Sequence, residues 1–316
     1  MVGAGAVVAL GAANASRAIA PAAEPPPSAP ASEAPRPPVA ESAAPPRAPA
    51  AELAAGVCTF PDKGTGDYAA TRTKPESGAA WDVIARDAAV GPDGAYDLLL
   101  HVHGGEAARK IIAPLGKPLV VATLDRGDSS GDYGATFPTR KSWDDQVASI
   151  DRAVSDLVKR PAHASRLAIS SFSAGYGATR EALVVAGDDP ALTGVLLLDS
   201  LYGSYAPGSR AVDAAGLEPF EKAGRRALEK PRFSFILTHS EVPTDGYAST
   251  AEVATTLLDH LVVRANVIEK RGPRGLMRVA EERGFVVRGY GGNDKGGHCA
   301  HLALLPELVD LWRSRL

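Results

Sequence analysis

Cysteine is nearly absent from this chain of 316 residues: there are two, Cys58 and Cys299. Two are too few for a disulfide framework or a cysteine-based metal site. They leave open a single bridge tying the start of a domain to its end, or two free thiols. Aromatic residues make up only 6% of the chain, which argues against a platform on which bases stack. An excess of either charge is also lacking. With 34 basic against 37 acidic residues and a net charge of −3, nothing draws the chain toward nucleic acid or an anionic membrane surface. Long apolar runs are missing too, since the Ala, Gly and Val-rich stretch from Val2 to Ala20 is too short for a convincing membrane span. Hydrophobic residues still reach 45%, enough for a sizeable core.

The same stretch, residues 1–20, has small residues from Ala13 to Ala20 and resembles the apolar part and cleavage region of a secretory signal. Its first basic residue, Arg17, comes later than a signal's positive start would. Export to a periplasm, an envelope surface or the exterior is the expectation, with the cytoplasm as the other reading. Residues 21–55 are almost wholly Ala, Pro, Glu and Ser. Such a composition cannot bury a core and predicts an extended, disordered linker. The folded domain is expected over residues 56–316.

Within that domain, apolar runs alternate with helical spacing. Residues 56–97 predict one or two antiparallel strands. Tyr96 to Val102, Pro118 to Leu124, Leu167 to Ile169, Leu192 to Leu198, Phe233 to Thr238 and Gly284 to Arg288 read as buried strands. Between them fall helices over Glu106 to Ile112, Ser142 to Val158 and Ala178 to Ala186. A capping box of Ser249 and Glu252 opens another, running to about Val262. Ala206 to Lys230 predicts a helical excursion across the strand ends, and Leu302 to Leu316 the closing helix. The alternation implies an α/β fold with a doubly wound, mostly parallel sheet flanked by helices. Ligands then gather where the strands end.

The strand ending around Ser171-Phe-Ser-Ala-Gly175 is the one the rest is organised around. Strand, tight turn and helix in that order present Ser173 at an apex whose neighbours, Ser171, Ala174, Gly175 and Gly177, are small. The pattern resembles the nucleophile elbow Gly-x-Ser-x-Gly of the α/β-hydrolase family, with Ser171 in place of the first glycine. The resemblance covers residues 96–316. It implies acyl transfer by a serine, with no cofactor or metal, on a small-molecule ester or related acyl substrate. Nucleic acid and a membrane span are not implied, and the oligomeric state is left open.

The other parts are carried over onto matching positions. His103-Gly104-Gly105, directly after a strand, resembles the His-Gly-Gly of the family's esterases, which turns backbone N–H groups toward an oxyanion. This assigns His103 and Gly104, with Ala174, to the oxyanion hole. Gly297-His298, His301-Leu302 and Pro306-Glu307 resemble the family's segment around its base. They assign that role to His298, with His301 as the alternative. For the acid that holds the imidazole, Asp199, Glu241 and Asp245 all follow suitable strands. Asp199 is preferred, because a charge straight after Val195-Leu-Leu-Leu198 is costly to bury unless paired. Asp125, Asp128, Tyr176, Tyr202 and Tyr205 read as surface or wall residues.

Two other readings stand beside this one. His101-x-His103 and His298-x-x-His301 have ligand-like spacings, as a metal-dependent hydrolase would require. A hydrolase-like fold with an incomplete triad could instead serve in binding without catalysis. His101 otherwise reads as a sheet histidine with a satisfied hydrogen bond.

Overall fold

The computed structural model describes Cys58, Gly64, residues 66–268 and residues 275–315. The expected signal-like segment (1–20) and linker (21–55) lie outside the described residues.

Ten strands form one sheet: β1 (Ala69–Arg72), β2 (Asp82–Ala85), β3 (Ala95–Val102), β4 (Val120–Leu124), β5 (His163–Phe172), β6 (Leu192–Leu198), β7 (Ser234–His239), β8 (Asn266–Val267), β9 (Leu276–Glu282) and β10 (Phe285–Tyr290). Their order is β1-β2-β4-β3-β5-β6-β7-β10-β9-β8. The inner strands β4, β3, β5, β6, β7 and β10 pair in parallel. The outer ones, β1, β2, β8 and β9, pair antiparallel. This is the doubly wound, mostly parallel sheet that the alternation implies.

Helices α1 (Gly105–Ile112), α2 (Ser130–Tyr133), α3 (Arg140–Val158), α4 (Tyr176–Ala186), α5 (Glu218–Glu229), α6 (Thr250–Leu261), α7 (Lys295–Ala300) and α8 (Leu305–Ser314) are the α-helices among the described residues. Alternating side chains of the strands feed two cores. Leu98, Leu100 and Val102 of β3 pack with Ile150 and Val154 of α3, Ala182 of α4, Phe220 of α5 and Leu257 of α6. Leu99 points the other way, into a cluster with Ile112 of α1 and Leu308, Val309 and Trp312 of α8. Each fully buried side chain of that size stabilises the fold by roughly 1.5–3 kcal/mol. A strand buried on both faces must therefore read as an unbroken apolar run.

The expectation of a helix from Ala206 to Lys230 is corrected. Only Glu218–Glu229 is α-helical. The segment before it is irregular, held by isolated bridges from Gly203 to Ala248 and from Tyr205 to Val212. Pro207 and Gly208 break the pattern, and Gly208 takes a left-handed φ of 72°. No helix among the described residues is long and apolar enough to cross a membrane.

Topology fixes where a site can form. From β3 the chain passes to β4 on one side and then to β5 on the other. The crevice at the C-terminal ends of β3 and β5 is thus the switch point, the usual ligand site of such sheets.

Candidate active site

Strand β5 delivers Ser173 to that crevice. Ser173–Gly175 form a single 3-10 turn, and α4 begins at the next residue. The turn is so tight that Ser173 adopts φ 49°, a left-handed backbone that costs a non-glycine residue about 1 kcal/mol or more. Gly175 passes under the end of β3. A Cβ there would stand 2.3 Å from the Val102 carbonyl oxygen. Ser200 clamps the turn from the neighbouring strand end, its Oγ lying 2.8 Å from both the Ser173 carbonyl and Ser171 Oγ. A hydroxyl has one proton, so it can donate to the carbonyl and accept from Ser171. A glycine at position 171 would lack that tie.

Asp199 follows β6 and is fully buried, also on a left-handed backbone with φ 44°. Its Oδ1 accepts from the Ser240 N–H at 2.8 Å and from the Thr250 hydroxyl. Its Oδ2 lies 2.7 Å from Nδ1 of His298. Burial pushes the carboxyl up, but the His298 hydrogen bond, the His301 and His298 imidazoles and the Ser240 side chain outweigh it. The group is held well below the usual carboxylate range. An ionised Asp199 requires the proton on Nδ1 of a neutral His298, which leaves Nε2 as a free acceptor.

His298 sits on α7, and its side chain is 16% exposed. Its ring stacks on Phe172, with centroids 4.5 Å apart, and Phe172 stacks in turn on His103 at 6.0 Å. The column His103–Phe172–His298 therefore gathers the end of β3, the residue before Ser173, and α7. Among the described residues no hydrogen bond joins Ser173 to His298. The Ser173 side chain instead interacts with the Tyr202 hydroxyl. Unliganded sites often hold such contacts loosely.

The remaining sequence candidates have other surroundings. His301 is buried, 2.8 Å from the Thr238 hydroxyl and edge-on to Tyr290. Glu241 is 41% exposed and lies 3.8 Å from His239, and Asp245 is exposed. The His103 N–H donates to the Leu124 carbonyl, and its Nδ1 lies 2.9 Å from the Tyr133 hydroxyl. With φ 68° at His103 and 77° at Gly104, the chain turns sharply out of β3. The Gly105 N–H donates to Asp125. No acceptor for the Gly104 N–H lies among the described residues, and Ala174, in the 3-10 turn that leads into α4, has an N–H without an acceptor in that turn. Both ring nitrogens of His101 are engaged, by Ser170 and by the His103 carbonyl. Among the described residues no three His, Cys, Asp or Glu side chains cluster as a metal site would need.

Tyr205 is tied to Glu252 and Arg210. Tyr176, Tyr202 and Tyr247 form a chain of rings, 5.8 and 5.6 Å between successive centroids. The Tyr202 contact with Ser173, the Ser240 and Thr250 donors to Asp199, and the ring column are features that sequence reasoning missed. Cys58 and Cys299 are bridged; two cysteines at opposite ends of the domain left that possibility open.

The fold is α/β, a doubly wound, mostly parallel sheet flanked by helices, with Ser173, Asp199 and His298 on segments that follow β5, β6 and β10. No family model matches the sequence, and no curated protein matches it. Among solved structures, a thermostable esterase is similar at 14% identity and a TM-score of 0.42, over 78% of this chain and 63% of that one. The enterobactin esterase of Shigella flexneri, solved in the presence of 2,3-dihydroxy-N-benzoyl-glycine, is similar at 16% identity and a TM-score of 0.47, over 78% and 60%. The enterochelin esterase of Shigella flexneri is similar at 15% identity and a TM-score of 0.45, over 78% and 59%. The chain thus spans about three-fifths of the length of these structures.

Proposed function

We propose that this chain is a serine hydrolase that cleaves a carboxylic ester or related acyl bond. The observation that carries the proposal is the buried Asp199 paired with His298 Nδ1 at 2.7 Å, on an imidazole stacked against the residue that precedes Ser173. A serine hydroxyl is nearly inert without a base. Here no described residue bonds the second nitrogen of the proposed base.

In this mechanism Ser173 Oγ attacks the carbonyl carbon and its proton passes to His298 Nε2. Asp199 stabilises the resulting imidazolium without taking the proton. The N–H groups of Gly104 and Ala174 hold the oxyanion. His103 serves through its left-handed turn, which aims Gly104, rather than through its own N–H. The tetrahedral intermediate collapses, His298 gives its proton to the leaving oxygen, and an acyl-Ser173 ester remains. Water, deprotonated by His298, attacks that ester, and Ser173 leaves with the proton. A small or medium ester is the default substrate. The Cys58–Cys299 bridge supports an exported protein, because structural disulfides persist in oxidising compartments.

A fluorophosphonate probe tests the reading. It should label Ser173 and abolish hydrolysis of chromogenic esters, while chelators leave the activity untouched. Unlabelled Ser173 in an active preparation would overturn the proposal.

A further inference from the structure

The helix that carries His298 has little of its own to hold it in place. α7 is six residues long, contains Gly296 and Gly297, and buries none of its residues. Gly291 and Gly292 precede it. The elements on either side are secured independently. β10 is paired on both edges, to β7 and β9. The chain after α7 is sunk in the core through His301, Leu302, Leu304, Leu305, Leu308, Val309 and Trp312. Between these anchors, α7 is capped by Asp294, which accepts from the Gly297 N–H at 2.7 Å. It also carries the His298 contacts with Asp199 and Phe172. Just before it, the Gly291 N–H donates to the Gly275 carbonyl and the Gly292 carbonyl accepts from the Glu241 N–H. One tie on α7 itself is covalent. Cys299, next to His298, is bridged to Cys58, 241 residues away in sequence, with Cα atoms 5.4 Å apart. Cys58 is half-buried and packs against the cluster that includes Tyr68, Ile112 and Leu302.

We propose that the Cys58–Cys299 disulfide is a positioning device for His298, so that hydrolysis depends on the oxidised bridge while the folded domain does not. This rests on the proposed role of His298 as base. The physical reason is one of tolerance. A general base must keep its nitrogen within a few tenths of an ångström of its working place, and a misplacement of about 1 Å can cost on the order of a hundredfold in rate. A glycine-rich single turn on the surface does not supply that rigidity by itself. A covalent link one residue from the imidazole does. Reduction by an external dithiol is balanced chemistry. One thiolate attacks a bridge sulfur and forms a mixed disulfide, and the second thiol closes on the first. Two protein thiols and the oxidised, cyclic reductant result.

The full chain is compared before and after treatment with a dithiol, and after reoxidation, alongside Cys58→Ser, Cys299→Ser and the double variant. Reduction is expected to lower kcat about tenfold or more, with KM within about twofold, and reoxidation to restore it. The reductant should leave the double variant, already slow, unchanged. Two readouts are independent of activity. The downfield proton of His298 Nδ1, bonded to Asp199, should be sharp in the oxidised protein and broadened or lost in the reduced one. Amide exchange should accelerate across residues 294–300 and not through β5 or β6. Unchanged kcat and an unchanged Nδ1 proton would overturn the proposal. So would loss of protection throughout the sheet, because the bridge would then be a global staple. If Ser173 resists the fluorophosphonate probe but the proton and exchange signals still change on reduction, the hydrolase reading fails and the positioning of α7 stands.

Discussion

The Asp199 carboxylate is shared between two jobs: Oδ2 faces His298 Nδ1 at 2.7 Å, while Oδ1 accepts the Ser240 N–H at 2.8 Å. The second contact fixes the first. A carboxylate held by a backbone N–H and the Thr250 hydroxyl cannot rotate away from the imidazole. Asp199→Asn keeps the shape and reverses the chemistry, because an amide NH2 facing Nδ1 drives the imidazole proton to Nε2. In the proposed mechanism, the nitrogen that accepts from Ser173 is then occupied. Turnover of a chromogenic ester is expected to fall about a thousandfold or more, with near-ultraviolet dichroism retained. Glu241→Gln, at a half-exposed carboxylate 3.8 Å from His239, should stay within about threefold of the parent. The reverse ranking in steady-state kinetics would move the acid role from Asp199 to Glu241.

The Tyr202 hydroxyl interacts with the Ser173 side chain. Burial, then the charge of Asp199, pushes its phenol well above the ordinary value, so it stays a neutral donor across the working pH range. Donation to Ser173 Oγ would stabilise the charge that grows there as the proton leaves. Tyr202→Phe removes the hydroxyl that would make such a bond, worth about 0.5–1.5 kcal/mol net. kcat is expected to drop roughly three- to tenfold without loss of near-ultraviolet dichroism. An unchanged kcat would make Tyr202 a wall residue only.

The six inner strands were legible because strands buried on both faces must be written as apolar runs, such as Leu192–Leu198. The capping box of Ser249 and Glu252 forms as read, since it needs only local geometry. Failures came where tertiary contacts decide. β9 carries Arg278, Glu281 and Glu282 and reads as neither strand nor helix. It forms because β10 offers it an open edge. The stretch before α5 had helix-like composition around Ala211 and Ala214, but Pro207 and Gly208 overrode it. At the candidate site, Ser173 and His298 are proposed from local motifs, whereas Asp199, Glu241 and Asp245 each follow a strand. What separates them is donors 41 and 51 residues away, Ser240 and Thr250, which no local pattern announces.

Gly175 offers a test of the turn itself. A methyl group there would meet the Val102 carbonyl oxygen at 2.3 Å and its carbon at 2.9 Å, and backbone at the centre of a sheet cannot yield as a side chain can. Gly175→Ala is therefore expected to cost at least about 3 kcal/mol, the upper end for overpacking, in urea unfolding. A variant as stable as the parent would mean that β3 and the turn approach less closely than described.

The buried histidines set how stability depends on pH. His101 and His239 are both fully buried. Burial, the first cause for each, lowers them to about 4; the charge of Arg278 acts in the same direction on His239. Free imidazole titrates near 6.5. Between about pH 6.5 and 4 the unfolded chain therefore takes up protons at these positions that the native chain refuses. Stability falls as pH falls through that window, by up to about 3 kcal/mol for each residue. His103 and His301 are lowered by burial too and add to the same slope. Asp199 acts in a lower window. Its folded value is depressed, so its contribution is complete above the unfolded carboxyl's range near 3.9 and is lost only as pH falls below that toward the folded value. Urea unfolding at pH 7.5, 6.5, 5.5 and 4.5 should show a steep loss over the lower three points. His239→Gln should be less stable at pH 7.5, because its amide fits the imidazole's place imperfectly, yet lose less between pH 6.5 and 4.5 than the parent. A flat profile in the parent across that range would mean that His101 and His239 are charged in the native state.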